Sequence, residues 1–484
     1  MKKRLLSLML ALVLFASAVT SCSETPPDDT AEKIQGPVSS ESGESAADDE
    51  TDVLEYFSQI ESADYDGVTV TIPDRAFNPN NIWFAPVLLD DYYGDAFYDS
   101  IYDRQLAVED KMNIEFEAII GGWDDKGIAN SIIADSGAYD LCFPMLSDIF
   151  SYVQQGLALD INTLNVNTSN PYWNQNSVED FTFAGKLYYG FPDINFDQYE
   201  SMGVLFYNAQ LLDNVGYNSS LYDLWKEGKW SIDEMSKMME VVIQDVSGDG
   251  QYRMGEDIYG LIGAKFSYLP PLYASGIKLY EYDLETETTT TFLGSEEVVK
   301  CGEALQDVYF RKSGVNLAAS EESNRNAFKA GYALFYSRQI GEFKNLRDQE
   351  DDYGIINWPS MDGRVDGKVY VSVPYCMFVP ADIRNPECIS TVIELMASYT
   401  YDVVMDNYIE RSVIGKGTRD QQSAEIVREL FKRRVFDLEE GLNIEVASSA
   451  WEKVIRLGTY ASMAKALEKA FQRAFFRAVD SIVE

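Results

Sequence analysis

Val68-Thr69-Val70-Thr71-Ile72 and Ile114-Glu115-Phe116-Glu117-Ala118 bracket the stretch that decides the fold class. Each piece alternates apolar and polar residues, as a half-buried strand does. Between them, Ile101, Val108 and Met112 share one helical face, and Asn113 breaks the helix. Strand, helix and strand at this spacing predict a parallel βαβ unit and an α/β fold. Pro73 and the run Phe77-Asn78-Pro79-Asn80-Asn81 predict a loop that ends the first strand.

Working outward, Tyr139-Asp140-Leu141-Cys142-Phe143 reads as a short buried strand stopped by Pro144. Near the end of the chain, Met463, Leu467, Phe471, Phe475 and Ile482 recur at roughly helical spacing among charged residues, a core-packing face. No internal repeat is present. From about Asp64 to Glu484 the chain has about 420 residues, more than one small core accommodates, so two lobes are expected.

The other end reads differently. Met1-Lys2-Lys3-Arg4 is basic, and Leu5 to Val19 is apolar but shorter than the roughly 20 residues a spanning helix needs. Val19-Thr20-Ser21-Cys22 follows. Residues 1–21 therefore read as a lipoprotein signal peptide, with Cys22 as the lipidated first residue after cleavage. Residues 22–63 are acidic, small and Pro/Ser-rich, and read as a disordered tether. The expected location is the extracytoplasmic face of the cell membrane, held there by lipid.

Composition excludes several functions. The formal net charge is −40, which argues against nucleic acid and against docking on anionic lipid. There is no histidine, which removes Ser-His-Asp and Cys-His catalysis and the common His-ligated zinc sites. Cys142 and Cys376 sit in apolar runs and read as buried free thiols. A Cys376–Cys388 disulfide is the alternative left open.

Several segments in order resemble the extracellular solute-binding proteins of ABC importers, in their carbohydrate-binding branch. They are Ala138–Ile161, the run FAGKLYYGFP (183–192), VLFYNAQLLDNVGY (204–217), GKWSIDEM (228–235), AFKAGYALFYS (327–337) and KGTRDQQS (416–423). The resemblance covers most of residues 64–484. It implies a periplasmic-binding-protein-like type II fold: two α/β lobes joined by hinge strands, with a ligand cleft between. Lobe one would be 64–192 plus 370–410, and lobe two 193–369 plus 411–484. The hinge would lie near Gly190–Asn195.

A sugar cleft needs aromatic platforms for C–H faces and planar polar groups for hydroxyls. The resemblance places the candidates Trp83, Met145, Ser147, Asp148, Asp193, Asn195, Tyr199, Glu200, Tyr336, Arg338, Gln339 and Tyr375 at that cleft. Trp230 reads instead as core.

One loop has its own chemistry. Asp245-Val246-Ser247-Gly248-Asp249-Gly250, with Gln251 and Glu256, resembles an EF-hand or dockerin-type calcium loop. Asp245, Ser247 and Asp249 stand at relative positions 1, 3 and 5, the Gln251 carbonyl at 7 and Glu256 at 12. Ser247 is a weaker ligand than Asp, and Arg253 stands at position 9. A structural calcium is the expected ion.

The function implied is capture of an oligosaccharide by a monomer that delivers it to ABC transporter permease subunits. The alternatives are a receptor for a peptide or other polar solute, a binder that reports to a membrane sensor, and a surface glycan-active enzyme. With 79 acidic residues, a carboxylate pair at glycosidase spacing arises by chance, so abundance is no argument for catalysis.

Overall fold

A computed structural model describes residues 54–78, 85–121, 125–217, 219–418, 421–444 and 446–483, all within one compact unit. Cys22 and Trp83 lie outside the described residues, as does the signal peptide.

The expected βαβ unit is present. Helix α1 (Glu55–Gln59) precedes β1 (Val68–Asp74), α2 (Ala96–Met112) and β2 (Ile114–Ile120). β1 and β2 pair in parallel from Val68↔Ile114 to Asp74↔Ile120. The Asp95 carboxylate accepts from Phe97 N–H and starts α2, while Asn113, at φ 47°, ends it in a left-handed turn. Ile101, Val108 and Met112 are buried, as their spacing requires. The same helix buries Arg104, which donates to the carbonyls of Val87 and Ile194 and to Thr400 Oγ1. Burial lowers its pKa to about 10.

Three expectations need correction. β1 does not stop at Pro73: it runs to Asp74, whose carboxylate accepts from the N–H groups of Arg75, Val87 and Leu88 and ties down the loop beyond. Residues 139–143 form only an isolated bridge, Cys142↔Phe378, and Pro144 then leads into α3 (Leu146–Gln154). The folded body also begins before Asp64. Tyr56 and Phe57 N–H groups both reach the Asp402 carboxylate at 2.9 Å, and Phe57 packs edge-on against Tyr399.

The larger sheet is mixed and has five strands. It uses β3 (Gly203–Asn208), β4 (Tyr259–Gly263), β7 (Val315–Asn316), β8 (Ala333–Gln339) and β9 (Tyr353–Ile356), in the order β7-β4-β8-β3-β9. A separate hairpin pairs β5 (Tyr280–Asp283) with β6 (Thr288–Thr291). Trp230 is buried in the core, as expected, and its indole donates to Asn357 O.

Three chain passes meet between the β1–β2 unit and the five-stranded sheet. β10 (Val369–Tyr370) pairs in parallel with β11 (Arg434–Val435). Residues 190–202 run beside 371–377 through the bridges Gly190↔Met377 and Met202↔Val371. After β11 come α4 (Leu438–Gly441), α5 (Ala447–Leu457) and α6 (Tyr460–Val483). The predicted stripe on α6 is real: Phe471 and Phe475 are buried, with Tyr280 and Tyr282 of β5 at ring-centre distances of 4.5 and 4.7 Å. Cys142, Cys301, Cys376 and Cys388 are all free and buried, so the Cys376–Cys388 pair is not formed.

Candidate ligand site

The described candidates fall into separate groups. Met145 bridges Tyr375, the Tyr375 carbonyl accepts from Asn195 Nδ2 at 3.3 Å, and the Arg75 guanidinium sits 4.1 Å from the Tyr375 ring centre. Ser147 and Asp148, half-buried, occupy the first turn of α3 beside Met145. These five lie together near the C-terminal end of β1.

The candidates at the crossing passes are satisfied by protein partners. Tyr199 donates to Asp193, and Arg434 reaches the same Asp193 oxygen at 3.3 Å. Desolvation raises the Asp193 pKa to about 6, against the opposing pull of Arg434. Glu200 pairs with buried Lys344 at 2.6 Å. Tyr336 is fully buried and donates to Glu342 at 3.1 Å. Arg338 pairs with Glu321 at 2.7 Å, and Gln339 donates to Ser372 Oγ at 3.2 Å. Trp173 is buried and donates to Glu394.

A cavity of about 580 Å³ opens elsewhere, beside the β10–β11 ladder, and none of the described candidates lines it. Such a volume is in the range of small-molecule sites. Its aromatic walls are Tyr273, Tyr280, Tyr282 and Phe436. Each ring is held from behind. Tyr273 lies parallel to Tyr370 at 5.4 Å, Phe436 stacks on Phe191 at 3.6 Å, and Tyr280 and Tyr282 rest on α6. Tyr280 and Tyr282 stand two apart on one strand and therefore project to one face.

The polar lining comes from both sides of the ladder. Asn176 accepts from Lys368 Nζ at 2.8 Å. Asp437 starts α4 by accepting from Glu439 N–H at 2.9 Å. Glu439 accepts from the N–H groups of Val446, Ala447 and Ser448, so its charge is used at the start of α5. Asp180 is half-buried in the wall, and desolvation, aided by the neighbouring Glu179, raises its pKa to about 6 against Lys278 and Lys368. Rigid aromatic faces beside carboxylates, an amide and an ammonium group can stack and hydrogen-bond a polyhydroxylated solute.

Sequence reasoning passed over these walls because they come from remote parts of the chain. The period-2 pair Tyr280 and Tyr282, followed by the threonine run 288–291, was the available local signal.

In the 245–256 loop, Asp245 accepts from Gly248 and Gly250 N–H groups at 2.7 Å. Arg253 pairs with Asp249 at 2.6 Å and approaches Glu256 at 3.7 Å. The guanidinium thus neutralises two of the expected ligands. Among the described residues, no group of three His, Cys, Asp or Glu side chains is placed to hold a metal.

A family model described as bacterial extracellular solute-binding protein matches residues 109–388. That is more than half of the chain, and the chain belongs to this family, whose members bind solutes outside the cytoplasm and are not enzymes. No curated protein matches it in sequence. Among solved structures, it is similar to the sugar-binding protein MalE of Xanthomonas citri (TM-score 0.55, 13% identity, 85% of this chain and 98% of that one). It is also similar to RafE of Streptococcus pneumoniae (0.54, 13%, 84% and 98%). A third is the GacH receptor of Streptomyces glaucescens, solved with and without acarbose (0.51, 15%, 84% and 98%). These likenesses establish the type II binding-protein fold.

Proposed function

We propose that this chain is a lipid-anchored extracytoplasmic receptor that captures a carbohydrate, an oligosaccharide in particular, and delivers it to the permease subunits of an ABC importer. The observation that carries this reading is the aromatic cavity beside the crossing passes. Sugars are also the ligands named for structural neighbours, among them the MalE of Xanthomonas citri. The lobes would be 64–192 plus 370–410, with residues 54–63 added to the first, and 193–369 plus 411–484, closing about the passes near Gly190–Asn195 once ligand is bound. Cys22 would carry the lipid, and the acidic tether would let the receptor reach its permease as a monomer. Capture is reversible and leaves the ligand unchanged.

Thermal unfolding against a panel of mono- and oligosaccharides tests this reading. A ligand at about 100 times its Kd adds about 2.7 kcal/mol, a shift of degrees in Tm. A selective shift without product supports a sugar receptor. No shift across the panel moves the reading to a peptide or other polar solute, and product formation moves it to a glycan-active enzyme.

The 245–256 loop is a candidate structural calcium site in the same reading. Asp245, Ser247, Asp249, Gln251 and Glu256 would hold the ion once Arg253 withdraws, at the cost of its two ion pairs.

A further inference from the structure

The carboxylates around the cavity are not equivalent. Glu439 is consumed by the start of α5, and Asp437 by the start of α4. Glu281 pairs with Lys278 at 3.3 Å. Lys368 is directed to Asn176. Glu179 is exposed at the rim. Asp180 differs: it is half-buried, and its carboxylate accepts no hydrogen bond from a described residue. Tyr282 Oη approaches only its backbone carbonyl, at 3.4 Å.

Asp180 lines the cavity together with Tyr280 and Tyr282, and the Tyr282 hydroxyl at 3.4 Å from its backbone carbonyl places it beside that wall. Lys278 and Lys368 act on Asp180 through space, but their ammonium groups are engaged by Glu281 and Asn176. A half-buried carboxylate beside tyrosine rings matches an ammonium group, which gains an ion pair from one and quadrupole attraction from the others. A neutral hydroxyl gains only a single hydrogen bond there. Five carboxylates and two lysines line the cavity, so an anionic sugar meets a net negative wall.

Resting on the carbohydrate reading above, we propose that Asp180 is a specificity-determining residue of this cavity, and that it selects a glycan carrying a free amino group over its neutral and N-acetylated counterparts. Acetylation removes the charge and adds bulk, so the two counterparts fail for different reasons.

The test is calorimetric titration of the purified protein with a β-1,4-linked glucosamine disaccharide, its N-acetylated form and cellobiose. At neutral pH the amine disaccharide is expected to bind at least about tenfold more tightly than cellobiose, the factor that one added charge-assisted contact supplies. Lowering the pH through about 6 protonates Asp180 while the ligand amine stays charged, so the preference shrinks in the unmutated protein. Asp180→Asn, isosteric and checked by its melting curve, brings the ratio of the two affinities close to one. Equal or tighter binding of cellobiose overturns the proposal, as does a preference that survives Asp180→Asn or acid. Binding of neutral sugar without amine preference sinks this inference and leaves the receptor reading standing. Binding of no sugar sinks both.

Discussion

The guanidinium carbon of Arg434 lies 3.6 Å from the centre of the Tyr199 ring, and its Nη2 reaches Asp193 Oδ1 at 3.3 Å. All three residues are buried. Arg434 begins β11, and Val435 and Phe436 after it line the cavity. The contact therefore joins a cavity wall to the 193–200 pass.

Arg434→Met removes the cation that pairs with Asp193 while the carboxylate stays buried. Breaking one side of a buried pair costs about 3–5 kcal/mol. Urea unfolding should show that loss, and Asp193→Asn in the same background should recover part of it. A change below about 1 kcal/mol, the scale of an exposed pair, would show the pair to be ornamental.

Stability should fall as pH rises from about 4 to 6. Asp180 and Asp193 have folded pKa values of about 6, above the ordinary value of 3.8. Within that window the folded state binds more protons than the unfolded one, so raising the pH favours unfolding. Burial shifts Asp197 in the same direction. The lowered values of exposed Asp245 and Asp249 act below pH 3.8 and do not oppose it there. Melting curves across the window should show the slope, and Asp180→Asn with Asp193→Asn should flatten it. A Tm that rises through the window contradicts the assignment.

The segment before Asp64 belongs to the folded body. A chain starting at Asp64 should be less stable than one starting at residue 51, by about 2 kcal/mol for the loss of Phe57 burial. Phe57→Ala in the longer chain should reproduce most of the difference. Identical denaturation midpoints would return residues 54–63 to the tether.

Calcium binding at the 245–256 loop should be weak, because Arg253 competes for Asp249 and Glu256. Arg253→Ala frees both carboxylates and should tighten calcium severalfold in a calorimetric titration, with a Tm that rises more steeply with added calcium. No heat from either protein would remove the ion from this reading.

Sequence patterns carried the parts of the fold whose contacts are local. β1, α2 and β2 announced themselves because strand alternation and a helical face survive in short windows. α6 did so because Phe471 and Phe475 repeat on one face. The 139–143 segment misled because an apolar run bounded by proline resembles a strand, although its chief partner, Phe378, is more than 200 residues away. The site was harder. Asp193, Tyr199 and Glu200 were expected as ligand contacts, but Arg434 and Lys344, which engage Asp193 and Glu200, come from distant segments. Tyr273 stacks on Tyr370 of β10, Phe436 follows β11, and Tyr280 comes from the β5–β6 hairpin against α6, so no local pattern encodes their meeting.

Calorimetric titration of the best sugar from the thermal panel into the wild type and Tyr273→Ala is the most direct measurement. The wild type should bind saturably with one site. The variant, still folded by its melting curve, should bind about tenfold more weakly, as loss of one aromatic platform predicts. Undiminished affinity in the variant would place the ligand elsewhere and contradict the cavity as the binding site.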